Sequence, residues 1–188
     1  MNKKIASNQH INFTPPRSLD APDVAPVMCA LCVKDMAHSI DEIFDEAYAL
    51  YEKGMLEEAF NLFLRGAESG NTSCMIWVGV LYGDGVRKDT QNKEEISWYQ
   101  RAWNKGELSA ANNLAIVYKN QKHYTEAEHW FTKAIQAGDG DANLELAKML
   151  ITIGREAKEI CGYLTATIES NYATEASIEE AQTLLEST

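Results

Sequence analysis

Between Ser109 and Gly138 apolar residues return with a helical period twice over. Ala110, Ala111, Leu114, Ala115 and Tyr118 recur at spacings that put them on one face of a first helix. The polar run Lys119 to His123 breaks the period. Tyr124, Ala127, Trp130, Phe131, Ala134 and Ile135 restore it as a second helix, and Gly138 stands where a helix end favours left-handed φ. So short a turn predicts antiparallel helices, with the alanines letting the backbones approach and Leu114, Tyr118 and Phe131 filling the space between. One hairpin of this kind cannot bury both its faces. It therefore predicts neighbours like itself.

Those neighbours are present in the chain. Ser73, Ser109 and Asp141, each with an oxygen suited to an N-cap, precede the first small apolar residue of a unit at intervals of 36 and 32 residues. Gly70, Gly106, Gly138 and Asn171 close the units, Asn being the other residue that accepts left-handed φ cheaply. Ala47, Gly79, Ala115 and Ala147 share one small position. Leu50, Tyr82, Tyr118 and Leu150 follow it, and Phe63, Tyr99, Phe131 and Tyr163 return on the second helix. The repeats are expected at about 39–70, 72–106, 108–138 and 140–171. A further amphipathic helix at about 173–186, with Ile178, Ala181, Leu184 and Leu185 inward, is expected to seal the last hairpin. At the other end Val27–Ala37 carries Met28, Leu31, Cys32 and Met36 and is expected as a short capping helix. Ser39 with Glu42 forms a capping box that starts the first repeat helix.

The set Ala47, Leu50, Gly54, Leu56, Ala59, Phe63 and the set Ala115, Tyr118, Tyr124, Ala127, Phe131, Ala134 resemble tetratricopeptide repeats. Val78 to Tyr82, Gly83-Asp84-Gly85-Val86, Asp89 and then Trp98-Tyr99, Ala102 and Gly106 are closer to the Sel1-like variant. This unit departs from that pattern in a short loop at Tyr82–Gly85 and extra residues between Asp89 and Trp98. The resemblance runs from about Ser39 to Asn171. It implies an all-α, right-handed α-solenoid of about four helical hairpins with terminal capping helices, used as a scaffold that holds other proteins.

Met1 to Pro26 differs from the rest. It is polar and contains all four prolines of the chain, Pro15, Pro16, Pro22 and Pro26. We read it as an extended or disordered leader, with a second possibility that it lies across the repeat surface. Lys3 and Lys4 are not followed by an apolar run, so no secretory signal is expected, and no stretch has the length of a membrane span. The 188 residues carry a formal charge of −11, with 28 acidic and 17 basic side chains. Nucleic acid and anionic membranes would be repelled, so the expected partner is a protein with a basic surface.

Candidate chemistry is sparse. Cys29 and Cys32 offer two ligands where a structural zinc site needs four, and no second pair follows. A redox Cys-x-x-Cys motif would need a βαβ setting. Both cysteines are read as structural, with His10 and His38 as the only nearby recruits. Cys74 and Cys161 lack partners in their own units, which favours the cytoplasm over an oxidising compartment. His123 and His129 do not share a helix face, and the nucleophile-elbow, zincin and di-metal patterns are all missing. Gly83-Asp84-Gly85 lacks the Lys-Ser/Thr ending of a phosphate loop and reads as a tight turn. Trp77, Trp98 and Trp103 read as core. No enzyme activity, cofactor or metal is expected, and a hydrolase or metal-binding protein is the remote alternative.

In the tetratricopeptide arrangement the first helix of each hairpin lines the concave side. Counted from the small buried residue, that implies an exposed stripe of Phe44, Tyr48, Tyr51, Ile76, Val80, Asn112, Ile116, Lys119, Leu144, Lys148 and Ile151. Large apolar side chains on a solvent-facing stripe suggest a contact surface. Asn112 and Asn113 resemble the family's clamp for a C-terminal carboxylate, but the first unit has Phe44 and Tyr48 where that clamp needs lysine and asparagine. The expected function is protein binding without catalysis. Its sharpest form is an immunity-type protein that neutralises a cognate toxin, and its alternative an adaptor or regulator binding a peptide or complex subunit.

Overall fold

The computed structural model describes residues 40–187. The 1–26 leader, the 27–37 helix, the Ser39 cap, Cys29, Cys32, His10 and His38 lie outside the described residues.

Nine α-helices follow one another among the described residues, with no strand: α1 Ile40–Glu52, α2 Leu56–Glu68, α3 Thr72–Gly83, α4 Lys93–Asn104, α5 Ala110–Asn120, α6 Tyr124–Gln136, α7 Asp141–Thr152, α8 Ala157–Ile168 and α9 Glu175–Ser187. A single 3-10 turn, Thr90–Asn92, precedes α4. Helices pair as hairpins, α1 with α2 through α7 with α8. Each second helix also packs on the next hairpin's first helix, and α9 lies against α8. This is an all-α helical-repeat solenoid.

The spacing of small residues explains the stacking. Ala47, Ala115 and Ala147 are fully buried, as are Phe63 and Phe131 on the returning helices. Two buried clusters result, and α5 belongs to both. Ala110, Leu114 and Val117 pack toward the second unit, while Ala111 and Ala115 pack toward the fourth. A helix with apolar residues on two adjoining faces is what continues a repeat array in both directions.

The links between units are alike in three cases. Gly138 takes φ 92°, and the Asp139 N–H donates to Ala134 O at 3.0 Å, closing the end of α6. Gly70 and Gly106 do the same for α2 and α4. Asn171 does not: it is absent from the left-handed residues, and the chain leaves α8 by Ser170 N–H to Thr167 O instead. Lys122 adopts φ 61° in the turn of the third hairpin, where the first and fourth have Gly54 and Gly154.

The helix starts also differ from expectation. Asn71, not Ser73, caps α3, its side chain accepting from Cys74 N–H at 2.8 Å. Asp139, not Asp141, serves α7, accepting from the N–H groups of Asp141 and Ala142. Ser109 sits at the start of α5 but donates its hydroxyl to Glu107. The N–H groups nearest the helix end are reached by a residue before the first turn, in both cases two residues earlier than the apolar period suggests. Asp141 instead accepts from Thr174 N–H at 2.7 Å, and Thr72 donates to Glu107 at 2.9 Å. Each ties the start of one first helix to the entrance of the following unit.

Candidate functional site

The face made by the first helices α1, α3, α5 and α7 has three zones. The first is aromatic. Tyr48 and Tyr51 of α1 meet the Trp77 ring of α3 edge-on, with centroids 5.3 and 4.7 Å apart, and Phe44 stacks beside Tyr48 at 6.2 Å. Phe63 lies flat on Trp77 from behind at 5.4 Å. Tyr48 remains 38% exposed, while Phe44, Tyr51, Ile76 and Trp77 are half-buried. Trp77 was expected in the core. It is instead the centre of this cluster, because its place in α3 faces α1 across the hairpin junction.

The second zone is a polar cavity of about 340 Å³ between α3 and α5. Val80 and Ile116 form its apolar walls, and Glu95 and Tyr99 of α4 reach it from behind. Glu95 is 7% exposed, with Oε2 accepting from Asn92 Nδ2 at 2.6 Å. The backbone around it is shaped by the left-handed residues Gln91 and Asn92, which Gln121 of α5 holds through its side-chain amide. Burial raises the Glu95 carboxyl above the usual carboxylate range; the Asn92 hydrogen bond opposes this, and the charges of Asp89 and Asp84 add to it.

The third zone is a chain of ion pairs across α5, α7 and α9. Glu145 binds both Lys119 and Lys148, the latter at 2.9 Å, and Lys148 also reaches Glu180 at 3.0 Å. Burial alone would raise the Glu145 carboxyl, but its hydrogen bonds and charge pairing with the two lysines outweigh that and hold it low. Lys148 is likewise held high by Glu145 and Glu180 against the effect of burial. A carboxyl lower in the folded state adds stability above its unfolded value and loses it as pH falls. Glu145→Gln should cost about 1 kcal/mol at neutral pH, and the difference from wild type should begin to shrink once pH falls below about 4.3, as the lowered carboxyl is protonated, in pH-dependent urea melts.

The expected stripe is therefore only partly a free surface. Tyr48 and Ile151 are exposed, and Val80 and Ile116 line the cavity. Lys119 and Lys148 are engaged with acidic neighbours. Leu144 is a correction: it is 2% exposed, within a cluster to which α9 contributes Ala181, Leu184 and Leu185. Asn112 is half-buried and hydrogen-bonded to the Asp139 carboxyl, so it supports the start of α7. Its Oδ1 has no hydrogen-bond partner among the described residues.

Glu95, Tyr99 and Gln121 were not expected at a site. One signal existed: Glu95, Trp98, Tyr99 and Ala102 fall on one helical face, which puts a carboxylate in an otherwise buried stripe. Among the described residues no group of three or more His, Cys, Asp or Glu side chains is gathered to hold a metal ion. Cys74 and Cys161 are free thiols, and burial pushes Cys74 up to about 11. No helix among the described residues is long and apolar enough to cross a membrane.

By sequence, the tetratricopeptide-repeat family profile matches residues 108–137, and no curated protein matches the chain significantly. By structure, the chain is similar to a Sel1 repeat protein from Oxalobacter formigenes (TM-score 0.63, 20% identity, 81% of this chain and 64% of that one). It is also similar to a protective antigen of uropathogenic Escherichia coli strains with an SLR fold (TM-score 0.62, 22% identity, 83% and 34%). MamA is a third such structure (TM-score 0.59, 14% identity, 80% and 85%). The chain thus spans under two thirds of the length of the first two. Its hairpins, their stacking and these likenesses make it a helical-repeat protein of tetratricopeptide/Sel1-like fold.

Proposed function

We propose that the chain is a non-catalytic, protein-binding scaffold that seats its partner on the face of α1, α3 and α5. The observation that carries this reading is the aromatic cluster of Phe44, Tyr48, Tyr51 and Trp77, with Tyr48 left exposed. Aromatic anchors at the centre of a contact supply most of its affinity, and acidic surroundings set its rate of encounter. The charge of −11 selects a protein with a basic surface over nucleic acid or an anionic membrane. The free thiols Cys74 and Cys161 support a cytoplasmic site of action.

Within this reading the sharpest version is an immunity-type protein that occupies a basic toxin. The alternative is an adaptor that holds a peptide or complex subunit. A small acidic scaffold with no catalytic constellation suits both, and the nature of the captured protein separates them.

The test compares captures from lysate by wild type and Tyr48→Ala. A specific partner should be held by wild type and lost from the variant, with affinity weakened by about 2 kcal/mol and a faster dissociation rate. Added salt should slow association more than it speeds dissociation. Tyr48 is the cleaner position, because truncating Tyr51 also removes its packing on Trp77. Equal capture by both proteins overturns the choice of face. A captured protein that is toxic alone and harmless with the chain establishes the immunity version, and a harmless one favours the adaptor.

A further inference from the structure

We infer that the cavity between α3 and α5 receives one arginine side chain of the protein partner. This deepens the protein-binding reading and rests on it.

Two side chains that are more than nine-tenths buried each keep an oxygen that has no hydrogen-bond partner among the described residues and is not sealed from solvent. Glu95 is 7% exposed, and no ion pair from Lys, Arg or His reaches it among the described residues. Only Oε2 is served, by the neutral Asn92 amide. Oε1 lies against Gly83, where an added Cβ would stand 2.7 Å from it, and has no donor among the described residues. Tyr99 is 3% exposed and lines the same cavity, yet its hydroxyl has no hydrogen-bond partner among the described residues. A core carboxylate satisfied by its own loop accounts for Oε2 and leaves the other two oxygens available to a donor that enters the cavity.

A cation answers both. Asp84 borders the cavity and the Asp89 carboxylate accepts from Glu95 N–H at 2.9 Å, so two further acidic side chains stand near Glu95. A planar guanidinium presents its N–H donors in a fixed fork and suits several converging acceptors better than a compact ammonium. The apolar walls, Val80 and Ile116, would carry the methylene stem. The opening adjoins the face on which the aromatic cluster lies, since Val80 follows Trp77 on α3 by three residues. A partner anchored at Tyr48 could therefore place a basic residue here.

The probe is Nα-acetyl-arginine amide, titrated into the full chain and followed by 1H-15N NMR. Saturable shifts are expected at the Glu95 and Ile116 amides and at the Asn92 and Gln121 side chains. The isosteric, uncharged Nα-acetyl-citrulline amide should give none, and Nα-acetyl-lysine amide should bind more weakly. Glu95→Gln keeps the side-chain shape and should lose at least about tenfold in affinity. Asn120→Lys places a competing charge at an exposed cavity residue, so it should fold normally and abolish probe binding. Absence of saturable shifts, citrulline binding as well as arginine, or an unaffected Glu95→Gln variant overturns the inference. Equal binding of the lysine probe overturns the choice of arginine. A partner lost by Tyr48→Ala but held undiminished by Glu95→Gln overturns this inference alone and leaves the protein-binding reading standing.

Discussion

Phe131→Ala should destabilise the repeat domain by about 3–5 kcal/mol and lower its melting temperature by about 10 °C. Phe131 is fully buried, packed in the cluster that joins the third and fourth units. Its cluster is rich in alanine, with Ala111, Ala115, Ala127, Ala134, Ala142 and Ala147, and side chains this short cannot move in to fill the space. The comparison variant is Tyr163→Ala, the corresponding position one unit later. Tyr163 is only half-buried, so its loss should cost markedly less. Circular dichroism melts of both variants measure the difference. A Phe131→Ala melt within about 2 °C of wild type would mean that the third hairpin is not packed as described.

Gly79→Ala is the second large effect, and its sign is the point. The other three units have alanine at this position, and alanine is favoured over glycine in a helix by about 1 kcal/mol. Repeat consensus and helix propensity both predict stabilisation. The structure predicts the reverse, because a Cβ at Gly79 would stand 2.5, 2.8 and 2.9 Å from three atoms of the Tyr99 ring. That ring is 3% exposed and cannot swing aside without opening the core. Overpacking of this kind costs about 1–3 kcal/mol and should exceed the propensity gain. Tyr99→Leu, which removes the clashing ring, should make Gly79→Ala much less harmful than it is alone, a coupling that a double-mutant cycle in urea reads directly. Stabilisation by the single substitution would show that Tyr99 does not occupy the place of the missing side chain.

Gly79 also shows how far the repeat register could be followed. The small position was legible because three alanines and a glycine recur at one phase of a helical period. The large residue facing it, Tyr99, was legible for the same reason. That the glycine in the second unit answers the size of that particular ring needs both positions in space. The site divides similarly. Phe44, Tyr48, Tyr51 and Ile76 follow from counting along α1 and α3, whereas Trp77 had the same apolar period as a core residue and revealed its position only through its contacts with α1. Leu144 failed as well, since it is buried in a cluster to which α9 contributes Ala181, a contact between elements that counting along α7 does not show.

The sequence by itself determined the hairpins among the described residues and the main buried side of most of their helices, because these depend on the period of apolar residues within a dozen positions. Tertiary structure decided the caps at Asn71 and Asp139, the inward turn of Asn112, the Lys119–Glu145–Lys148–Glu180 chain and the cavity holding Glu95. Each of these latter features, apart from the local caps, joins residues from different helices. Their meeting depends on the angle at which one hairpin stacks on the next, and an apolar period sets which face is buried without setting that angle.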